Sequence, residues 1–227
     1  MGGKILNKNE HMKKLFLFSS IEFVIEDAIK HLGRQAKDMK VAFIDTASEV
    51  EKGSKKWLRA DRQSQVEAGF QVTDYTLTGK NLDQLRTDLA DFDIIYLAGG
   101  NTFYLLQQAQ KSGFTEIISD LVCNKNKIYM GSSAGSIVAG PNIWPVHELD
   151  NPQDAPDLAG YEGFKLADVV VLPHWGSPHF KDAYLSKNLP AEYSDTQWPL
   201  LILTDHQYIL VENDTYQIID TTQRPPK

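Results

Sequence analysis

Apolar residues in this chain fall into short continuous runs, separated by stretches in which they recur every three or four positions. Leu15-Phe16-Leu17-Phe18 is such a run, closed by Ser19-Ser20, and its length predicts a buried strand. Ile21, Val24, Ile25, Ala28, Ile29 and Leu32 then keep helical spacing up to Gly33, a stop signal. Val41-Ala42-Phe43-Ile44 predicts a second strand, and the polar stretch 52–67 a helix. A strand is expected over 71–77, and Leu82, Leu85 and Leu89 mark one face of a short helix. Ile94-Ile95-Tyr96-Leu97 predicts a strand ending at Ala98-Gly99-Gly100-Asn101. Helices are expected over 103–110 and 115–122, and the strand Ile128-Tyr129-Met130 runs directly into Gly131.

Continuously apolar strands that alternate with helical patterns predict a parallel sheet covered on both faces. In such open α/β sheets, sites form beyond the carboxyl ends of the strands. The ends at Gly99 and Gly131 are therefore the first places to look. After residue 140 the pattern changes. Residues 141–163 are rich in proline and carry Glu148, Asp150, Asp154, Asp157 and Glu162, which predicts a long surface loop. Val169-Val170-Val171-Leu172 is one more buried strand, ending at Pro173-His174. The apolar runs 200–203, 208–211 and 216–219, separated by Asp205-His206 and Asn213-Asp214, predict a closing strand and a C-terminal β-hairpin.

Composition narrows the class of protein. With 227 residues and 42% hydrophobic content there is material for one substantial core. The first eleven residues are polar, and Met12-Lys13-Lys14 makes a more ordinary start. Residues 1–11 are therefore expected to be a tail, added to the natural chain or loosely attached, and 12–227 a single α/β hydrolytic domain. A net charge of −7 without a basic stripe argues against a nucleic-acid partner. No apolar run reaches the length of a membrane span, and no signal peptide is visible. The single cysteine, Cys123, excludes an intrachain disulfide and fits a reducing compartment, so a cytoplasmic location is expected.

The pattern Gly131-x-Ser133-x-Gly135 follows a strand and precedes Ile137-Val138-Ala139, which can form a helix. That is the setting of a nucleophile elbow. A serine at a sharp strand-to-helix turn needs small neighbours, and Gly131, Ala134 and Gly135 supply them. The helix N-terminus then aims backbone N–H groups at a developing oxyanion. Ser132 and Ser136 are competing hydroxyls, away from the centre of the turn. Without a base, the same residues would make an inert Gly/Ser turn.

A serine nucleophile requires a base. Of His11, His31, His147, His174, His179 and His206, only His174 follows a buried strand at the same kind of strand end as Ser133. His179 is a loop residue with at most a substrate-binding role. The spacing His174-x4-His179 lacks the carboxylate-rich helix that a metal pair would need, so no metal and no cofactor are expected. A third group must orient the imidazole. Glu148, Asp150, Asp154, Asp157 and Glu162 all follow the elbow, and their chemistry alone does not choose among them. At the other strand end, Asn101 or Thr102 can cap the following helix and reach a substrate. Glycine at 99 and 100 lets backbone amides come close. No Gly-Lys-Ser/Thr follows, so this is not a phosphate loop.

Three segments together resemble the dipeptidase E and cyanophycinase family of serine peptidases. They are Leu97-Ala98-Gly99-Gly100-Asn101-Thr102-Phe103, Gly131-Ser132-Ser133-Ala134-Gly135-Ser136 and Pro173-His174-Trp175. The resemblance implies a fold similar to class I glutamine amidotransferase domains (flavodoxin-like), with serine replacing cysteine at the elbow. Carried over by position, it implies Ser133 as nucleophile, His174 as base, and the Gly100 and Ala134 amides as oxyanion hole. It places the third carboxylate about fifteen residues after the nucleophile, at Glu148, with Asp150 as the fallback. In the aspartyl dipeptidase of this family, arginine after the Pro-His motif is thought to read an acidic first residue. Here no arginine occurs between Arg86 and Arg224. Lys181 and Lys187 are the nearby cations, and lysine lacks the guanidinium fork that matches a carboxylate. The acidic loop instead favours a substrate amine or basic group.

The expected function is therefore serine-dependent hydrolysis of short peptides through a Ser-His-Glu triad and an acyl-enzyme. An amidase or esterase on the same triad and a catalytically silent binding protein are the alternatives. The expected partner is a small peptide, with neither nucleic acid nor membrane, and a homodimer is left open.

Overall fold

The structure is a computed structural model describing residues 12–186 and 197–222. The 1–11 tail, His11, Lys187 and Arg224 lie outside the described residues. Five parallel strands form the body of the main sheet: β1 (Lys14–Phe18), β2 (Lys40–Ile44), β3 (Gln71–Tyr75), β4 (Ile94–Leu97) and β5 (Ile128–Ser132). A small parallel pair, β6 (Val170–Leu172) and β7 (Leu200–Ile202), stands apart from it. The antiparallel hairpin β8 (Gln207–Glu212) and β9 (Thr215–Asp220) joins the main sheet beside β1. The order is β3-β2-β4-β5-β1-β8-β9. The expected α/β class, with a mostly parallel sheet and a C-terminal hairpin, is the observed one.

Successive side chains of a strand point to opposite faces, and both faces of this sheet are packed. Leu15, Leu17, Ala42, Ile44, Ile95 and Leu97 share a core with Leu85 of α3 (Leu82–Asp88), Phe103 and Leu106 of α4 (Thr102–Ser112) and Ile118 of α5 (Phe114–Cys123). Phe16, Phe18, Val41, Phe43, Tyr96 and Met130 face Ile21, Val24, Ile25 and Leu32 on the other side. Burial on both faces explains why these strands read as unbroken apolar runs. Among the described residues, no helix is long and apolar enough to cross a membrane.

Three local expectations change. Residues 21–32 keep helical spacing but form 3-10 turns around a single short helix, α1 (Ile25–Ala28). Val24, at φ −127° and ψ −4°, breaks the helical path while its side chain stays in the core. The strand expected at 200–203 pairs with β6, not with the hairpin. The 141–163 segment is more than a surface loop, because Ile143, Val146 and Ala155 are buried in the core. Its chain turns through the 3-10 segments Trp144–Val146 and Pro152–Asp154.

Candidate active site

The chain leaves β5 at Ser132 and enters the short helix α6 (Ala134–Val138) through Ser133, whose backbone sits at φ 51° and ψ −111°. A non-glycine residue there is strained by roughly 1–3 kcal/mol and persists only where its surroundings impose it. The surroundings do. A Cβ on Gly131 would lie 2.4 Å from the Gly135 carbonyl carbon, and one on Gly135 would lie 2.1 Å from the Leu97 carbonyl oxygen. The two glycines of the motif thus touch each other and let α6 settle against β4. Gly135→Ala is expected to destabilise the protein by about 3 kcal/mol, as overpacking against backbone does. Urea unfolding monitored by circular dichroism measures it, and an unchanged midpoint would contradict this account of the turn.

The neighbouring hydroxyls have structural tasks. Ser136 is fully buried, with its Oγ 2.7 Å from the Phe18 carbonyl oxygen and 2.6 Å from that of Gly131. Ser132 is buried and accepts the Ile21 amide at 3.3 Å.

His174 follows β6 and Pro173, and it too has a left-handed backbone, at φ 64°. Its Nε2 lies 2.9 Å from Ser133 Oγ, and its Nδ1 lies 2.6 Å from Asp205 Oδ1. Asp205 sits between β7 and β8. Phe180 stacks on the imidazole, with centroids 4.5 Å apart and planes 7° from parallel. Ser19, at the end of β1, ties these parts together: its Oγ accepts the His174 amide at 2.7 Å and donates to Asp205 Oδ1 at 2.9 Å. Burial pushes the Asp205 carboxyl up, but the His174 bond and charge, the Ser19 hydroxyl and His206 outweigh it. The carboxyl is held below the ordinary aspartate range, so Asp205 is ionised throughout neutral pH.

The carboxylate expected at the imidazole is thereby corrected. Asp205 holds Nδ1, whereas Glu148 is exposed in the 141–163 segment. The fallback, Asp150, accepts the Thr102 amide at 2.9 Å and also the Thr102 hydroxyl. Burial pushes its carboxyl up to about 6, with the Thr102 bonds opposing the rise. Asn101 caps α4 by accepting the Tyr104 amide at 2.9 Å, and its Nδ2 donates to the Asn151 carbonyl at 2.9 Å. Thr102 is buried; Asn101 and the exposed His179 line the cavity beside Ser133. Gly100, at φ 126°, packs so tightly on Ala47 that a Cβ would lie 2.3 Å from its carbonyl oxygen. A Cβ on Gly99 would lie 3.3 Å from Ser133 Cβ, so the turn after β4 abuts the Ser133 turn.

Asp61 is the other residue that the sequence reading missed. It lies on α2 (Lys56–Glu67), is only 5% exposed, and accepts the Tyr96 hydroxyl at 3.0 Å. Burial pushes its carboxyl up to about 7, against the pull of the Tyr96 bond. The cavity has a volume of about 550 Å³ and is lined by Asp61, Ser133, His174 and the Gly99–Gly100 turn, among others.

A strained serine, an imidazole at hydrogen-bond distance and a carboxylate behind it are the parts of a serine hydrolase site. The model of peptidase family S51 matches residues 15–219, nearly all of the described chain. The chain belongs to peptidase family S51. As a family S51 member it is a serine peptidase, a hydrolase of the dipeptidase E type. An uncharacterized peptidase of Pasteurella multocida is 34% identical over 204 residues, covering 90% of this chain and 96% of that one. An uncharacterized peptidase of Listeria innocua is 30% identical, covering 89% and 94%. Peptidase E of Escherichia coli is 32% identical over 83 residues, covering 37% of this chain and 34% of its own. A solved structure from Listeria monocytogenes, provisionally described as a peptidase E protein, superposes with a TM-score of 0.82 at 28% identity. That superposition covers 92% of this chain and 98% of the other.

Proposed function

We propose that this family S51 peptidase hydrolyses short peptides through an acyl-enzyme on Ser133, with His174 as base and Asp205 as the group that orients it. The observation that carries this reading is the 2.9 Å approach of His174 Nε2 to Ser133 Oγ, with Asp205 on the opposite ring nitrogen. His174 takes the hydroxyl proton as Ser133 Oγ attacks the scissile carbonyl carbon, and Asp205 stabilises the imidazolium that results. The amides of Ala134, next to the nucleophile, and Gly100, in the abutting turn, are the proposed donors to the oxyanion. The proton passes to the leaving amine as the C–N bond breaks, leaving an ester on Ser133. Water then attacks that ester as His174 takes its proton; the acyl C–Oγ bond breaks, the proton passes from His174 to Ser133 Oγ, and the second product leaves as a carboxylic acid that ionises in solvent.

A cavity of about 550 Å³ supports a substrate of a few residues. The single cysteine and the acidic balance support a cytoplasmic setting. A fluorophosphonate probe is expected to add once, on Ser133, located by peptide mass spectrometry, and dipeptides are expected to protect against it. A folded protein that takes up no probe would favour the silent binding alternative. Labelling together with turnover of esters but not of peptides would favour the esterase.

A further inference from the structure

Among the described residues, four carboxylates line the cavity that holds Ser133: Glu51, Asp61, Asp150 and Asp154. They come from three separate places in the chain: the segment after β2, helix α2 and the segment after α6. Among the described residues that line it, none is a lysine or arginine. Among the described residues, none of the four is ion-paired with a cation. Asp61 is held by the Tyr96 hydroxyl, Asp150 by Thr102, and Asp154 by Asn101 Nδ2 at 3.3 Å. Trp57 lines the same cavity, is 38% exposed, and reaches 3.6 Å from where a Gly99 Cβ would stand. An accessible indole beside unpaired carboxylates is the lining that binds ammonium and guanidinium groups, by charge and by the ring face together. Burial also pushes the Asp61 and Asp150 carboxyls upward. A bound cation would remove that cost.

We infer that the cavity selects short peptides bearing a lysine or arginine side chain and disfavours those with an acidic one. This rests on the proposed hydrolysis at Ser133 and reverses the sign of the preference attributed to the aspartyl dipeptidase. The acids that face solvent, Glu51 and Asp154, act at the mouth, where they attract the cation. Asp150 and Asp61 lie deeper, where a charge of either sign is felt more strongly.

The test compares kcat/KM for Lys-Ala, Ala-Lys, Ala-Ala, Asp-Ala and Ala-Asp at low salt. The better lysine peptide is expected to exceed both aspartate peptides by about tenfold or more. The double variant Glu51→Gln, Asp154→Asn is expected to shrink that ratio several-fold, mainly through KM. Ser133-dependent hydrolysis in which an aspartate peptide equals or surpasses the lysine peptides would overturn the inference and leave the hydrolytic reading intact. Binding is measured separately by calorimetry on Ser133→Ala, which keeps the acidic lining. Tighter binding of a lysine peptide there supports the inference even if the wild-type protein turns over nothing. Equal affinities, or no binding of any of the five, would overturn it.

Discussion

Ser133→Ala is expected to lower the hydrolysis of any accepted dipeptide by about 10⁵–10⁶-fold in kcat, with little change in affinity. The size of the loss follows from how the parts depend on one another. His174 has no proton to take once the hydroxyl is gone, and the oxyanion donors then have no attack to stabilise. The substitution removes one oxygen from a partly exposed side chain and creates no buried vacancy. The variant should therefore fold as the parent does, and its circular dichroism and unfolding midpoint serve as controls. Stopped and continuous assays of peptide cleavage measure the loss. Substantial residual turnover in purified Ser133→Ala would mean that another group, or a water, attacks the substrate.

Asp205→Asn is expected to cost about 10⁴-fold in kcat, while Glu148→Gln changes it by less than about twofold. The contrast separates the two carboxylates directly. Ionised Asp205 only accepts at its carboxylate oxygens, so it fixes the proton of His174 on Nδ1 and leaves Nε2 free to accept from Ser133. An asparagine amide can donate to Nδ1 instead. It would then place the proton on Nε2, facing the serine, where it blocks proton transfer. The Asn side chain also loses the charge that offsets the imidazolium. Nuclear magnetic resonance of the His174 ring protons would register the change of tautomer independently of rate. Equal losses for the two variants would restore Glu148 to the mechanism.

Much of this was legible in the chain, for physical reasons that differ from place to place. Strands buried on both faces announce themselves as unbroken apolar runs, and Leu15, Val41, Ile94 and Ile128 all lie where such runs predict them. The elbow was legible because the close contacts of α6 with β5 and with Leu97 of β4 demand glycine at 131 and 135. Asp205 was not. It stood between two apolar runs next to His206, where an acidic residue reads as turn punctuation, and its partner lies 31 residues away in sequence. The usable signal was topological: a strand parallel to β6 ends beside His174, and Asp205 follows that strand. Asp61 was hidden by its polar helix, where one carboxylate among many charged residues gives no sign of being buried.

The proposed nucleophile and its proposed base belong to different sheets. Ser133 stands at the end of β5 in the main sheet, whereas His174 follows β6 in the small pair, and Asp205 follows that strand's neighbour β7. The Ser19 hydroxyl, from the end of β1, is a direct side-chain link from the main sheet to both His174 and Asp205. The gap between Ser133 and His174 is therefore also a gauge of how the two sheets sit against each other. A substitution far from the cavity that lets the small pair slide by an ångström would leave Ser133, His174 and Asp205 chemically intact and the protein folded, yet pull the imidazole from the serine and slow the proposed reaction.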